Sequence, residues 1–168
     1  ETQGKMRHMF LQRFSSDITD TKWFAAEPLD IMKGMYSACP NYPFGGYDMF
    51  DIANDGATIA ISVEDINESQ AWTTGWKTYT IKVSGTTVSK PELITGYTKA
   101  RTQNPKFSPD SKKLMYLAME RPGYEADRLR LVLHDLNSKQ NKQIAKDYDR
   151  SFHNIVWTAD GKSVFVTA

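Results

Sequence analysis

Three stretches of the chain repeat one order of apolar and polar positions: "IANDGATIAIS" (Ile52 to Ser62), "FSPDSKKLMYL" (Phe107 to Leu117) and "WTADGKSVFVT" (Trp157 to Thr167). In each, an apolar residue is followed two or three places later by Asp, then by Gly or Ser, then by alternating apolar residues. Asp-Gly and Asp-Ser suit the centre of a tight turn, where a positive φ or a local side-chain to backbone hydrogen bond is needed. The alternation beyond it fits a half-buried strand: Leu114, Tyr116 and Ala118 fall on one face, as do Val164 and Val166. Each motif therefore predicts a β-hairpin.

Asp55, Asp110 and Asp160 are separated by 55 and 50 residues, a period of propeller-blade size. Further strand-like runs fill each period: "KTYTIKV" (Lys77 to Val83) and "TVSKPELI" after the first hairpin, "LRLVLHDL" (Leu129 to Leu136) and "NKQIAKD" after the second. The polar turns "VSGTT" (Val83 to Thr87) and "LNSKQN" (Leu136 to Asn141) sit where third and fourth strands would join. Four short strands per unit make the blade of a β-propeller. A β-sandwich would explain the strands but not the long regular period.

The expected fold is all-β: an arc of about three four-stranded blades of a larger β-propeller, which typically closes with four to eight. Residues 1–41 read as the end of one blade, starting in the strand-like "MRHMFLQRF" with no hairpin of its own. Residues 42–100 read as a second blade, 101–150 as a third, and 151–168 as the first hairpin of a fourth. The terminal strands of such an arc have unpaired edges, which invite edge-strand pairing or a swapped dimer.

Composition adds exclusions. With 40% hydrophobic and 24% charged residues, the 168-residue chain can bury a core. A net charge of +1, from 21 basic and 20 acidic residues, gives no reason to expect nucleic acid or an anionic membrane surface as partner. No apolar run approaches the roughly 18 residues of a spanning helix. The start, "ETQGKMRH", lacks the pattern of a signal peptide.

Catalytic signatures are scarce. The sequence has no G-x-S-x-G, H-E-x-x-H, G-x-G-x-x-G or G-x-x-x-x-G-K-[ST], so no catalytic residue is assigned. His8, His134 and His153 lie far apart and read as surface or blade-edge histidines; no metal or other cofactor is expected. Cys39 stands alone and reads as a half-buried structural thiol. The aromatic- and Gly-rich "CPNYPFGGYDMFD" (Cys39 to Asp51) reads as a rigid inter-blade crossing.

One loop interrupts this regularity. "ERPGYEADR" separates two strand-like runs, and its Arg121-Pro122-Gly123 segment reads as a turn. Tyr124, Glu125, Asp127 and Arg128 would project from it. The plain structural alternative is a solvated loop in which Glu125 and Asp127 pair with Arg121, Arg128 or Arg130, a kind of contact that contributes little at a surface.

At "NPKFSPDSKKLMYLAMERPGYEADRLRLVLHDL" and "DYDRSFHNIVWTADGKSVFVTA" the chain resembles the propeller of the prolyl oligopeptidase family, notably its dipeptidyl-peptidase V and acylaminoacyl-peptidase-like members. "YPFGGYDMFDIANDGATIAIS" is similar to the preceding blade, so the resemblance runs from Tyr42 to Ala168. It is specific for "RPGYEADR" and "DYDRS" taken in order, and weak for the "SPD" turns alone, which TolB-like propellers also carry.

The resemblance implies a serine peptidase parent in which a C-terminal α/β-hydrolase domain supplies the catalytic triad. The propeller segment would itself be inactive, gating and orienting peptide substrates. Acidic propeller side chains in exopeptidase members hold the substrate's free amino group. Carried to this chain, the expected substrate-binding residues are Glu125 first and Asp127 second, with Tyr124 as a wall and Arg128 as an orienting partner. A charge-assisted hydrogen bond suits that task, and anchoring one end fixes which peptide bond reaches the serine. The family also implies a periplasmic or secreted location. The alternative function is a TolB-like propeller acting as a protein-binding module; an α/β-hydrolase pattern downstream in the reading frame would separate the two.

Overall fold

The computed structural model describes residues 7–12, 19, 27–41, 45–64, 75–94 and 96–168. Residues 6, 13 and 14 of the first strand-like run, and 42–44 of the aromatic-rich run, lie outside these. The described residues are all-β, as expected. They form β1 (Phe10–Leu11), β2 (Leu29–Asp30), β3 (Phe50–Ile52), β4 (Thr58–Glu64), β5 (Trp76–Ser84), β6 (Thr87–Val88), β7 (Glu92–Leu93), β8 (Thr102–Phe107), β9 (Lys113–Ala118), β10 (Arg130–Asp135), β11 (Asn141–Ile144), β12 (His153–Trp157) and β13 (Val164–Thr167). A 3-10 turn, Tyr47–Met49, precedes β3.

The three repeated motifs close three hairpins, β3-β4, β8-β9 and β12-β13, by one device. The amides of Gly56, Ser111 and Gly161 donate to the carbonyls of Ala53, Ser108 and Thr158 at 2.8, 2.8 and 2.9 Å. These turn residues adopt φ of 66°, 58° and 67°, the region glycine tolerates best. The preceding aspartates accept from the amides of Ala57, Lys112 and Lys162 at 2.8, 3.1 and 3.1 Å. The side-chain bond and the positive φ foreseen for Asp-Gly and Asp-Ser are both present.

Strand order is β11-β10-β9-β8 in one antiparallel sheet and β3-β4-β5-β6 in another, with β7 also on β5. The run "TVSKPELI" is thus two strands rather than one. Val83 faces Val88 but Thr80 faces Glu92, so one extra residue is accommodated between the two pairings. Pro91, in that interval, has no amide to give a ladder. Ser89 bridges the break, its hydroxyl accepting from the Lys82 amide at 2.9 Å. At the start of the chain, β1 pairs antiparallel with β2.

The sheets pack face to face. Leu114, Tyr116 and Ala118 on one face of β9 meet Ala53, Ala60 and Ile94 of the preceding sheet. Met115 and Leu117 on the other face meet Phe152, just before the last hairpin, and Ile155 within it. A third cluster, including Met32, Cys39, Ile61 and Ile81, fills the far side of the β3-β4-β5 sheet. A strand buried on both faces is what stacked blades demand, and the molecule is an arc of them. Cys39 is fully buried rather than half-buried, and burial, reinforced by Asp48, pushes its thiol up to about 12.

The first strands of successive sheets lie side by side. The Phe107 amide donates to Asp51 at 2.7 Å, and the Trp157 indole N–H donates to the Lys106 carbonyl at 3.0 Å. Neighbouring turns also touch, through Asn54 to the Pro109 carbonyl at 3.0 Å. Farther out, the buried Lys77 ammonium donates to the carbonyls of Lys99 and Ala100. His134 is 2% exposed, not a surface or edge residue. It pairs with Leu114 and Asn141 across three strands, and its Nδ1 meets Asn141 Oδ1 at 3.0 Å.

Candidate functional site

The β9-β10 connection, residues 119–129, is built on two consecutive turns. The Tyr124 amide donates to the Arg121 carbonyl at 3.3 Å, with Pro122 fixing the first corner and Gly123 at φ 75° the second. The Asp127 amide then donates to the Tyr124 carbonyl at 3.1 Å.

Asp127 organises this loop from within. Its side chain is 5% exposed. It accepts from the amides of Glu120 at 2.7 Å, Arg121 at 2.9 Å and Arg128 at 2.8 Å, and faces the Arg130 guanidinium at 3.4 Å. Burial alone would raise its pKa, but three amide donors and the Arg130 charge together hold it down to about 2. Arg130, itself 10% exposed, also pairs with Glu120 at 3.0 Å and donates to the Arg128 carbonyl at 2.8 Å.

The other three expected site residues sit differently. Glu125 is exposed. Tyr124 is 49% exposed, with the Arg121 guanidinium 5.5 Å from its ring centre. Arg128 donates to the Tyr148 carbonyl and so ties the loop to residues 147–151. That segment docks further through Ser151, whose hydroxyl accepts from the Leu129 amide at 3.1 Å, and through a Tyr148–Phe152 stack at 5.1 Å. "RPGYEADR" and "DYDRS", which carry the resemblance, therefore form one structural unit. The structure brings Asp127 and Arg128 into the loop's framework and leaves Glu125 and Tyr124 on its surface.

Dipeptidyl-peptidase 5 of Arthroderma otae is 34% identical over 142 residues, 79% of this chain and 19% of the relative. This chain is a homologue of part of the dipeptidyl-peptidases 5. A probable dipeptidyl-peptidase 5 of Emericella nidulans is 33% identical over 158 residues, 86% of this chain and 21% of the relative. Dipeptidyl-peptidase 5 of Trichophyton equinum is 32% identical over 144 residues, covering 79% and 19%. No protein-family model matches the chain. The chain spans about a fifth of the length of these curated relatives.

Two further residues of this dipeptidyl-peptidase 5 homologue adjoin the loop. Met119, at its root, donates its amide to the Arg101 carbonyl at 2.9 Å. The Arg101 guanidinium lies 4.2 Å from the Trp76 ring centre, on the adjacent sheet. Sequence reasoning missed this pair because nothing in a separation of 25 residues announces contact between two blades. A concavity of about 410 Å³ runs along the first strands between Asp51, Lys106 and Trp157.

Proposed function

We propose that this chain is the substrate-orienting part of a serine exopeptidase, working beside an α/β-hydrolase domain that supplies the nucleophile. Homology to dipeptidyl-peptidases 5 supports the peptidase reading. The observation that carries the rest is the division of labour in the loop. Asp127 spends its carboxylate on three backbone amides and Arg130, which fixes the loop, while the Glu125 carboxylate stays exposed on that fixed support. A fixed carboxylate is the right partner for the free amino group of a peptide. Glu125 is assigned that role, Tyr124 walls the site, and Asp127 and Arg128 hold its frame.

The test is steady-state kinetics of the chain combined with its downstream domain. Glu125→Gln is expected to raise KM for free-amino dipeptide substrates about tenfold, the difference between a charged and a neutral hydrogen bond. Amino-blocked substrates should be unaffected. Equal effects on both would reject the amine-anchor role, and absence of activity in the combined protein would reject the peptidase reading.

A further inference from the structure

Arg101 is partly buried against the Trp76 ring. Its Nε is buried without a hydrogen-bond partner, and among the described residues its guanidinium has no acceptor, only the Trp76 ring beneath it. Arginine carries five donors in a planar fork, and leaving even one buried without an acceptor costs stability that a cation–π contact offsets only in part. The charge is nonetheless not isolated. Burial pulls the guanidinium below its ordinary value, and the carboxylates of Glu125 and Asp48 act in the opposite direction without bonding to it.

We infer that Arg101, seated on Trp76, receives the carboxylate of a short free peptide whose ammonium group faces Glu125. This rests on the reading of Glu125 given above and extends it to the ligand's other end. A planar carboxylate matches the guanidinium fork and satisfies two donors at once. A simple anion would be opposed by Glu125 and Asp48, whereas a zwitterion brings a positive end to them. Met119 joins the two halves of the site, since its amide is bonded to the Arg101 carbonyl at the root of the loop that carries Glu125. Hydrolysis by the parent enzyme adds water across the peptide bond, so the acyl side leaves as a free carboxylate and the nitrogen side as a new amino terminus. The released dipeptide, charged at both ends, is then the species that fits the site, and it competes with the next substrate.

The experiment is calorimetric titration of the chain with three probes: the dipeptide alanyl-phenylalanine, its C-terminal amide, and its N-acetyl form. The free dipeptide is expected to bind about tenfold more tightly than the amide, and Arg101→Gln should erase that preference. Arg101→Lys, which keeps the charge but not the fork, should restore part of it. Thermal melting of Arg101→Gln should be no lower than that of the unaltered chain, because no acceptor among the described residues is lost. Should the glutamine variant fail to fold, the comparison of free dipeptide with amide on the unaltered chain still decides. Equal binding of these two overturns the inference, and if both exceed the N-acetyl form the Glu125 reading survives. N-acetyl binding equal to the free dipeptide, with the amide weaker, upholds Arg101 and rejects Glu125. Absence of binding by the free dipeptide overturns both.

Discussion

The amide of Phe107 donates a 2.7 Å hydrogen bond to the carboxylate of Asp51, across the seam between two sheets. Lys106 approaches the other oxygen of the same carboxylate at 3.5 Å and donates to the Phe50 carbonyl at 3.3 Å. One acidic side chain thus joins the inner strands of two blades. Asp51→Ala should destabilise the protein by about 1–3 kcal/mol, the cost of stranding a part-buried amide. Asp51→Asn, which still offers an oxygen, should lose clearly less. Urea denaturation of the two variants checks the order.

Asp127 supports a larger effect. Removing its carboxylate leaves the amides of Glu120, Arg121 and Arg128 without their acceptor and Arg130 short of a counter-charge. Asp127→Ala should cost about 3 kcal/mol or more. It should also disorder residues 119–129 before the sheets melt. Hydrogen exchange in the loop, compared with β9 and β10, reads this directly.

Among the groups that acid should act through, two are buried, Asp127 and His134. Asp127 is depressed in the fold, from 3.8 to about 2, so its contribution is present above its unfolded pKa and is lost as pH falls from about 4 towards 2. That contribution is about 2 kcal/mol. His134 is also lowered, chiefly by burial and further by Lys139, with Asn141, Asp135 and Glu92 opposing. For a histidine the sign is such that stability is complete above the unfolded value of 6.5 and declines as pH falls through the lowered folded value. Thermal melts from pH 8 to pH 3 should show the histidine step first, and His134→Gln should remove it.

Two glycines should respond to alanine for different reasons. At Gly56 a Cβ would meet nothing within 4 Å, so only the φ of 66° is at stake, and the cost should be about 1 kcal/mol. At Gly45 a Cβ would lie 2.4 Å from the backbone N and O of Asn41 and 2.5 Å from Met49 Sδ. Gly45→Ala must therefore displace the chain and should be several times more destabilising. Melting temperatures of the two variants, measured side by side, test the contrast.

The hairpins were legible because each is a local event: Asp fixes its turn and alternation fixes the faces on either side. The split of Thr87–Ile94 was visible only as Pro91, whose consequence depends on where the partner strand β5 offers its acceptors. Asn104 and Asn154, both at positive φ and both beside a register shift, occupy matching places three residues before Phe107 and Trp157. That repeated asparagine was a readable sign of a paired bulge. The loop was found from its composition, and its Pro-Gly turn followed from the residue types. The inward commitment of Asp127 was not legible, because it depends on which amides the folded loop gathers. Arg130 was named only among the pairing alternatives, yet its guanidinium links Glu120 and Asp127. The Arg101–Trp76 contact belongs to the packing of one sheet on the next, which no local pattern encodes.

Lys77 has a consequence for how this segment can vary in length. Its ammonium clasps the carbonyls of Lys99 and Ala100, so the stretch that leads from one sheet into β8 is held at a set distance from β5. Inserting even one residue between Gly96 and Ala100 would pull those carbonyls off a buried charge, whereas an insertion at the exposed tip, Pro122 to Ala126, would disturb only its two local turns. Natural and engineered insertions should therefore gather at this exposed tip and be excluded from the joint between sheets, leaving the outer loop to diverge over an unchanging pitch.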